Sequence, residues 1–501
     1  MELIEFITAG FINALQPTNL LFVLIGVGAG ITVGAIPGIN GPMALALCIP
    51  LTYYMSPVAA LGFLIGMNKG AFFGGAISAI LLRTPGTPES AATSWDGYPL
   101  SRDGKGEKAL RMGLFSSVSG DAFATVILIL VAAPLATVAL YMGPPEIFAL
   151  ICLAFTVIAG LGSKSLPRGL IAAGFGVLVG TVGTDPVSAM PRLTFDMHQL
   201  ERGLSLIPIA IGMLAFAEII IQLERHLRLG GGQATLSFSS KPEDRYVSWR
   251  DFRGSIKTIL RSSAIGTGVG TMPGLGAPVA SFFAYDQARK RSKKEESFGK
   301  GNLDGIAAAE SANNSVVSSS LIPLFTLGIP GNLAAAMLFG AFVIHGVTPG
   351  PLMFEENAEL IYSVFGSLIL ANLFLLGVGR IGLRAFTKAV QTPAVILYPI
   401  VIFTCLTGAY LGEYYVFDVY VMLFFAIFSY FMRKFDFSFV CAVIGFILAP
   451  IWETALQQVI ISSQHDPFMF FTRPVAVILM VLALIVVIKV AVSTLRKNKH
   501  G

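Results

Sequence analysis

The stretch "TLGIPGN" (Thr326–Asn332) places Pro330-Gly331 between two apolar segments, and "RTPGTP" (Arg83–Pro88) does the same with Pro85-Gly86 in the first half of the chain. Proline lacks a backbone donor and clashes with the preceding turn, while glycine enters conformations closed to other residues. Together they stop a helix. Inside a bilayer the freed N–H and C=O groups cannot face lipid, where each unsatisfied group costs roughly several kcal/mol. They must line protein or a water-filled cavity.

Bulk composition places these breaks in a membrane. The chain has 501 residues, 54% hydrophobic and 13% charged, whereas soluble domains carry about a quarter of their residues as charges. Runs such as Asp121–Met142 and Val475–Val492 approach or exceed the roughly 20 residues that cross a bilayer as helix. A large soluble enzyme would need polar residues to cover its surface, and they are absent. The opening "MELIEFITAG" begins with two glutamates in place of a basic cluster, so no secretory leader is expected; Leu3, Ile4, Phe6, Ile7 and Phe11 suit a short interfacial helix or the lead-in to the first span. Cys48, Cys152, Cys405 and Cys441 sit in apolar runs without metal-ligand or disulfide spacing and read as small core residues.

Apolar segments predict 10 to 13 spans, some of them broken. The polar stretch Glu224–Lys257, the basic loop "DQARKRSKKEESFGKGN" and the terminal "RKNKH" are expected on the cytoplasmic side, by the excess of Lys and Arg near span ends. Residues 256–286 must then enter the membrane and return, and Pro273-Gly274 near their centre predicts a hairpin.

The two halves share words. "GAIPGINGP" (Gly34–Pro42) matches "GTMPGLGAP" (Gly270–Pro278) at an offset of 236, and Pro85-Gly86 matches Pro330-Gly331 at an offset of 245. Matched interruptions in the same order indicate an internal duplication. The expected fold is an all-α polytopic membrane protein, internally duplicated, with broken helices or re-entrant hairpins at the Pro-Gly motifs. Its parts are a first repeat (1–223), a basic polar connecting loop (224–256), a second repeat with additional spans (257–462), and a C-terminal span with basic tail (463–501).

Interrupted helices at matching positions of two halves point to a transporter's midplane binding site. Half-helix N-termini suit an anionic group and half-helix carbonyls suit a cation. The candidate substrate- or ion-binding residues cluster there: Asn40, Asn68, Lys69, Thr84, Pro85, Gly86 and Thr87 in the first half, with Glu310, Asn313, Asn314, Thr326, Gly328, Pro330, Gly331 and Asn332 in the second. Glu310, Asn313 and Asn314 share one helical face; serines and small residues nearby also serve close helix packing. Lys69 either attracts an anionic substrate, lies in a loop, or snorkels to the interface. Asp96 reads as part of a turn, and Asp121, Glu146, Glu218, Asp286 and Glu453 as interfacial. No GxSxG, HExxH or Walker A motif occurs. No enzyme activity, resident metal, cofactor or nucleic-acid partner is expected; the only ion implied is a coupling Na⁺ or H⁺.

At these motifs the chain resembles the large membrane subunit of the tripartite tricarboxylate transporter family. The matching stretches are "GAIPGINGPMALALCIPLTYYMSPVAALGFLIG", "GGAISAILLRTPGTPESAATSWDGYPL" and "AESANNSVVSSSLIPLFTLGIPGN". The resemblance implies a multi-pass secondary transporter of the bacterial inner membrane, coupled by symport to Na⁺ or H⁺. It also implies a small four-span membrane subunit and a periplasmic solute-binding protein that delivers small carboxylates. The "NKG" at Asn68–Gly70 departs from the aromatic, uncharged stretch usual there, so "tricarboxylate" is a family name only. The basic loops suit the small subunit or anionic lipid. The competing readings are a stand-alone carboxylate permease, a polytopic membrane enzyme, and a membrane scaffold.

Overall fold

The computed structural model describes residues 2–83, 87–161, 165–185, 187–229, 239, 241–390, 392, 394–463 and 472–497. Thr84, Pro85 and Gly86, together with part of the polar connecting stretch, lie outside the described residues.

The first half is a series of helices whose ends follow local chemistry. Helix α1 spans Glu2–Ala14; α2 spans Pro17–Ala35 and stops just before Pro37-Gly38. Asn40 then caps α3 (Gly41–Cys48), its Oδ1 accepting from the Met43 N–H at 3.0 Å. Helix α4 (Pro57–Leu82) opens on a proline at its first position and ends at Arg83, which is left-handed with φ 57°. There follow α5 (Ala91–Leu100), α6 (Gly106–Ala139), α7 (Pro144–Leu161) and α8 (Leu166–Gly180). A two-residue antiparallel pair, β1 (Gly183–Thr184) with β2 (Pro191–Arg192), interrupts the helical run. Then come α9 (His198–Glu201), α10 (Leu206–Ala210) and α11 (Ala217–Leu229), the last two joined by a π-helical turn over Ile211–Phe216.

In the second half α12 spans Pro242–Arg245, and α13 (Trp249–Gly270) starts from a capping box of Ser248 and Asp251. Helix α14 (Gly276–Arg291) returns from a turn in which Gly274 has φ +89°. Asn302 caps α15 (Leu303–Ser319), which passes into α16 (Leu321–Leu327) and ends at Gly328, left-handed with φ +70°. Asn332 caps α17 (Leu333–Ile344), accepting from the Ala335 N–H at 2.8 Å. The remainder is α18 (Met353–Glu356), α19 (Ala358–Ala389), α20 (Ala394–Leu411), α21 (Val416–Lys434), α22 (Phe439–Ser462) and α23 (Pro474–Lys497).

The fold is therefore all-α and polytopic. Among the described residues seven helices are long and apolar enough to cross a membrane, fewer than the ten to thirteen spans expected. The difference lies in shorter apolar helices, such as α3 and α17. Their 8 and 12 residues reach about 12 and 18 Å, well short of the roughly 30 Å hydrocarbon core.

Helices α4 and α15 form the centre. From Val58 to Leu81 and from Gly305 to Ser319 every residue is buried, while Val138, Ile381, Phe403 and Phe424 expose apolar side chains at the periphery. Glycine permits this packing. Gly26, Gly30 and Gly34 of α2 rest on the carbonyls of Phe63, Met67 and Ala71, and Gly66, Gly70 and Gly74 of α4 rest on those of Val23, Val27 and Ile31. A Cβ at any of the six would strike backbone, so the close approach requires glycine. Helix α13 also meets α15 closely: a Cβ on Gly266 would strike the Ala312 carbonyl, and one on Gly270 the Ser319 hydroxyl and Val316 Cα.

Charges mark the two ends. Glu107 holds Arg111, Arg245 and Arg384 at one end, which gathers the polar connecting stretch, the start of α6 and the end of α19. The other end carries Arg192 with Glu453 and Asp185, and Arg202 with Glu413 and Asp418.

Candidate functional site

A buried polar seam runs along one face of α6. Ser117, Asp121 and Thr125 recur every four residues and so point the same way, toward α4 and α15. At one end Glu310 of α15 accepts from Thr93 Oγ1 at 2.5 Å, Ser117 Oγ at 2.9 Å and Asn314 Nδ2 at 3.3 Å. Asn314 Nδ2 also donates to Ser117 Oγ at 2.9 Å. Farther along, Lys69 forms an ion pair with Asp121, each 1% exposed. Lys69 Nζ also donates to the Leu368 carbonyl at 3.0 Å and lies 3.4 Å from Thr125 Oγ1. Ser318 Oγ donates to Asp121 at 2.5 Å and shares a 2.9 Å hydrogen bond with Thr125. The Asn372 amide is best oriented with its nitrogen 2.5 Å from Asp121 Oδ2 and its oxygen 3.3 Å from Lys69 Nζ.

Against this saturated seam two neighbours stand out. Asn68 Oδ1 is buried without a hydrogen-bond partner, and Asn313 is fully buried with neither its Oδ1 nor its Nδ2 partnered. Buried amides are nearly always satisfied, and leaving such a group orphaned costs about 1–3 kcal/mol. Asn68 shares a face of α4 with Phe72, as Asn313 shares a face of α15 with Val317. Phe72 belongs to one buried apolar cluster with Ala277, Ala312, Val316 and Val317. Each asparagine thus lies one helical turn from a member of the cluster that contains this ring. Gly41, at the start of α3, borders the same place: a Cβ there would lie 3.0 Å from Asn68 Oδ1 and 3.2 Å from Phe72.

The remaining sequence candidates fall around this core. Asn40 and Asn332 spend their side-chain oxygens capping α3 and α17. Thr87 Oγ1 bonds Ser90 Oγ at 3.0 Å, and both crowd Gly75 of α4. Thr326 turns back to the Ile322 carbonyl at 2.8 Å. Gly328, Pro330 and Gly331 make the turn between α16 and α17, and the Gly331 carbonyl accepts from the Gly274 N–H at 3.0 Å. The Pro273-Gly274 and Pro330-Gly331 interruptions therefore touch. Lys69 lies in the middle of α4, neither in a loop nor near an interface.

Sequence reading missed two acids. Asp121, expected at an interface, is in the core. Asp96, expected in a turn, is a fully buried residue of α5. It accepts from the Tyr285 hydroxyl at 2.7 Å and from the N–H groups of Gly299, Gly301 and Asn302 at 2.8, 2.9 and 2.8 Å. The four-residue stagger of Ser117, Asp121 and Thr125 was the available signal for the first; nothing local marks the second. Cavities elsewhere include one of about 590 Å³ lined by Arg192, Arg202, Gly340, Phe446 and Glu453 and another of about 760 Å³ lined by Asn13, Ser56, His345, Glu355 and Glu359. Among the described residues no three His, Cys, Asp or Glu side chains are placed to hold a metal ion.

A family model described as "Tripartite tricarboxylate transporter TctA family" matches residues 20–444. The chain belongs to that family. As a TctA-family permease it is a multi-pass inner-membrane protein with a transport role. It is also 34% identical over 502 residues, covering 100% of this chain and 98% of the relative, to an "Uncharacterized 52.8 kDa protein in TAR-I ttuC' 3'region" from Agrobacterium vitis. A second protein of that organism, an "Uncharacterized protein in TAR-II ttuC' 3'region", is 34% identical over 236 residues, covering 47% of this chain and 97% of the relative. No solved structure matches.

Proposed function

We propose that this TctA-family chain imports a carboxylate-type anion, driven by a Na⁺ or H⁺ gradient. It acts as the large permease subunit beside a small four-span membrane subunit and a periplasmic solute-binding protein. The observation that carries the reading is the pair of orphaned carboxamides, Asn68 and Asn313. They are related by the same 245-residue offset that relates Pro85-Gly86 to Pro330-Gly331. Unpaired amides at equivalent positions of two halves are preorganised to meet a ligand that is itself polar.

Several features support the duplication behind this argument. At an offset of 245, left-handed Arg83 corresponds to left-handed Gly328. At offsets of 236 and 245, the Gly30–Met67 and Gly34–Ala71 contacts correspond to Gly266–Ala312 and Gly270–Val316. Four equivalent glycine approaches and two equivalent helix stops favour two copies of one unit, lying within 1–223 and 257–462. The basic stretch 224–256 connects them, and 463–501 follows as a further span and tail. In this reading the breaks at Pro37-Gly38, Pro85-Gly86, Pro273-Gly274 and Pro330-Gly331 are the tips of interrupted or re-entrant segments. Backbone N–H groups at the starts of α3 and α17 add positive potential for the anion. Asn40, Thr87, Thr326, Gly328 and Asn332 shape those tips, while Glu310 and Asn314 stand beside the site as candidates for the coupling ion.

The test is uptake of a labelled carboxylate panel into proteoliposomes holding this chain and its small partner, with and without the binding protein. Na⁺ and H⁺ gradients are imposed separately. Gradient-driven uptake that needs the binding protein, and that falls at least tenfold in Asn68→Leu and in Asn313→Leu, is expected. Uptake without the binding protein favours a stand-alone permease. Full uptake in the Asn68→Leu/Asn313→Leu double variant removes the site.

A further inference from the structure

The ammonium of Lys69 is surrounded by oxygen. Its neighbours are the Asp121 carboxylate, the Leu368 carbonyl at 3.0 Å, Thr125 Oγ1 at 3.4 Å and the Asn372 amide oxygen at 3.3 Å. One carboxylate, one main-chain carbonyl, one amide oxygen and one hydroxyl form the donor set that hard monovalent and divalent cations select. The net charge of this set, without the lysine, is −1. These oxygens come from α6 and α19, two helices brought together here by packing on α4. Ser318 of α15 and the Asn372 nitrogen hold the carboxylate from its other side.

An ordinary structural ion pair does not require this arrangement. Two buried charges removed from water need further hydrogen bonds to remain stable, but a single carboxylate and two hydroxyls would serve. The unusual element is the Leu368 carbonyl, a main-chain group inside helix α19, joined by a side-chain amide one turn later that presents its oxygen to the same nitrogen. Duplication sharpens the contrast. The position equivalent to Lys69 at the 245-residue offset is Asn314, a neutral residue facing the Glu310 carboxylate. The two halves thus place a carboxylate beside the same helical position, and only one half fills the space with a cation of its own.

We propose that the oxygen cage of Asp121, Thr125, Leu368 and Asn372 is an alkali-cation site permanently occupied by the tethered ammonium of Lys69. Shortening the lysine opens it to Na⁺. The binding statement stands without the transport reading; its consequence, that the exchangeable coupling ion of the proposed cycle sits elsewhere, rests on that reading.

The full-length chain in detergent is melted in NaCl and in choline chloride at matched ionic strength, and ²²Na⁺ binding is counted on the same samples. Variants are Lys69→Ala, Lys69→Ala/Asp121→Asn and Lys69→Met/Asp121→Asn. The expected result is a saturable Na⁺-dependent rise in melting temperature for Lys69→Ala, with one additional ²²Na⁺ bound relative to wild type. Both effects disappear in Lys69→Ala/Asp121→Asn. No gain in Lys69→Ala, or an equal gain in Lys69→Ala/Asp121→Asn, overturns the proposal. Should Lys69→Ala fold only in Na⁺ medium, the proposal is supported. Should it fail in both media while Lys69→Met/Asp121→Asn folds, the carboxylate accepts only the ammonium and the proposal falls. None of these readouts requires transport, so a failure of the carboxylate assay leaves them interpretable.

Discussion

Replacing Glu310 tests whether the seam between α5, α6 and α15 is a satisfied network in a dry core. Three donors converge on its carboxylate, from Thr93, Ser117 and Asn314, and the side chain has no exposed surface. A hydrogen bond to a charged group contributes about 1.5–3 kcal/mol net, and a buried donor left without a partner costs about 1–3 kcal/mol. Asn314 keeps Ser117 Oγ and the Glu310 main-chain carbonyl as acceptors when the carboxylate is removed, whereas the Thr93 and Ser117 hydroxyls each lose theirs. Glu310→Ala is therefore expected to destabilise by about 3–5 kcal/mol once the lost methylenes are included. Thr93→Val removes one bond at nearly constant volume and should cost about 1.5–3 kcal/mol. Glu310→Gln keeps the shape, and hydroxyls can rotate to accept from its amide, so it should cost the least. The assay is thermal unfolding of the full chain in detergent, with the Thr93→Val/Glu310→Ala double variant completing a cycle. The double variant should be less destabilised than the sum of the singles, because both remove the same bond. A Glu310→Ala melting temperature equal to wild type, or strict additivity, would refute the network and mean that water reaches this carboxylate.

The glycine contacts predict paired sensitivities: Gly30→Val and Gly266→Val should each lower the yield of folded protein sharply, while Gly28→Ala and Gly268→Ala, which face open space, should melt like wild type. Asp96→Ala should release the basic loop, read as faster tryptic cleavage and amide exchange over residues 292–302. Asp185, in the loop after α8, accepts from the Ser188 and Val187 N–H groups at 2.8 Å and faces Arg192; these contacts hold its carboxyl below the ordinary value. A depressed carboxylate contributes stability at pH above its unfolded value of about 3.9, and that contribution fades as pH falls toward the folded value. The acid limb of the melting profile should therefore flatten in Asp185→Asn, and an unchanged limb would show that Asp185 contributes nothing there.

Much of this protein is legible along the chain because a bilayer constrains sequence locally. Low charge and long apolar runs determine a polytopic helical protein, and Pro-Gly pairs separate helices before Asn40 and before Asn332. The resemblance motifs carry the family. Interfacial placement of Asp121 and a turn at Asp96 were reasonable for acids flanked by apolar or turn-forming residues, yet both are core residues. What redeems each charge is a partner far away in sequence: Lys69 lies 52 positions from Asp121, and the loop N–H groups lie more than 200 positions from Asp96. Local pattern reports how a residue sits on its own helix; it does not report which helix comes to face it. Composition, apolar runs and motifs thus carry the membrane, the helical class and the family along the chain. Which buried polar groups are satisfied, and which, such as Asn68 Oδ1 and the Asn313 amide, have no partner, emerges only in three dimensions, because satisfaction of a buried group depends on chain segments brought together by packing.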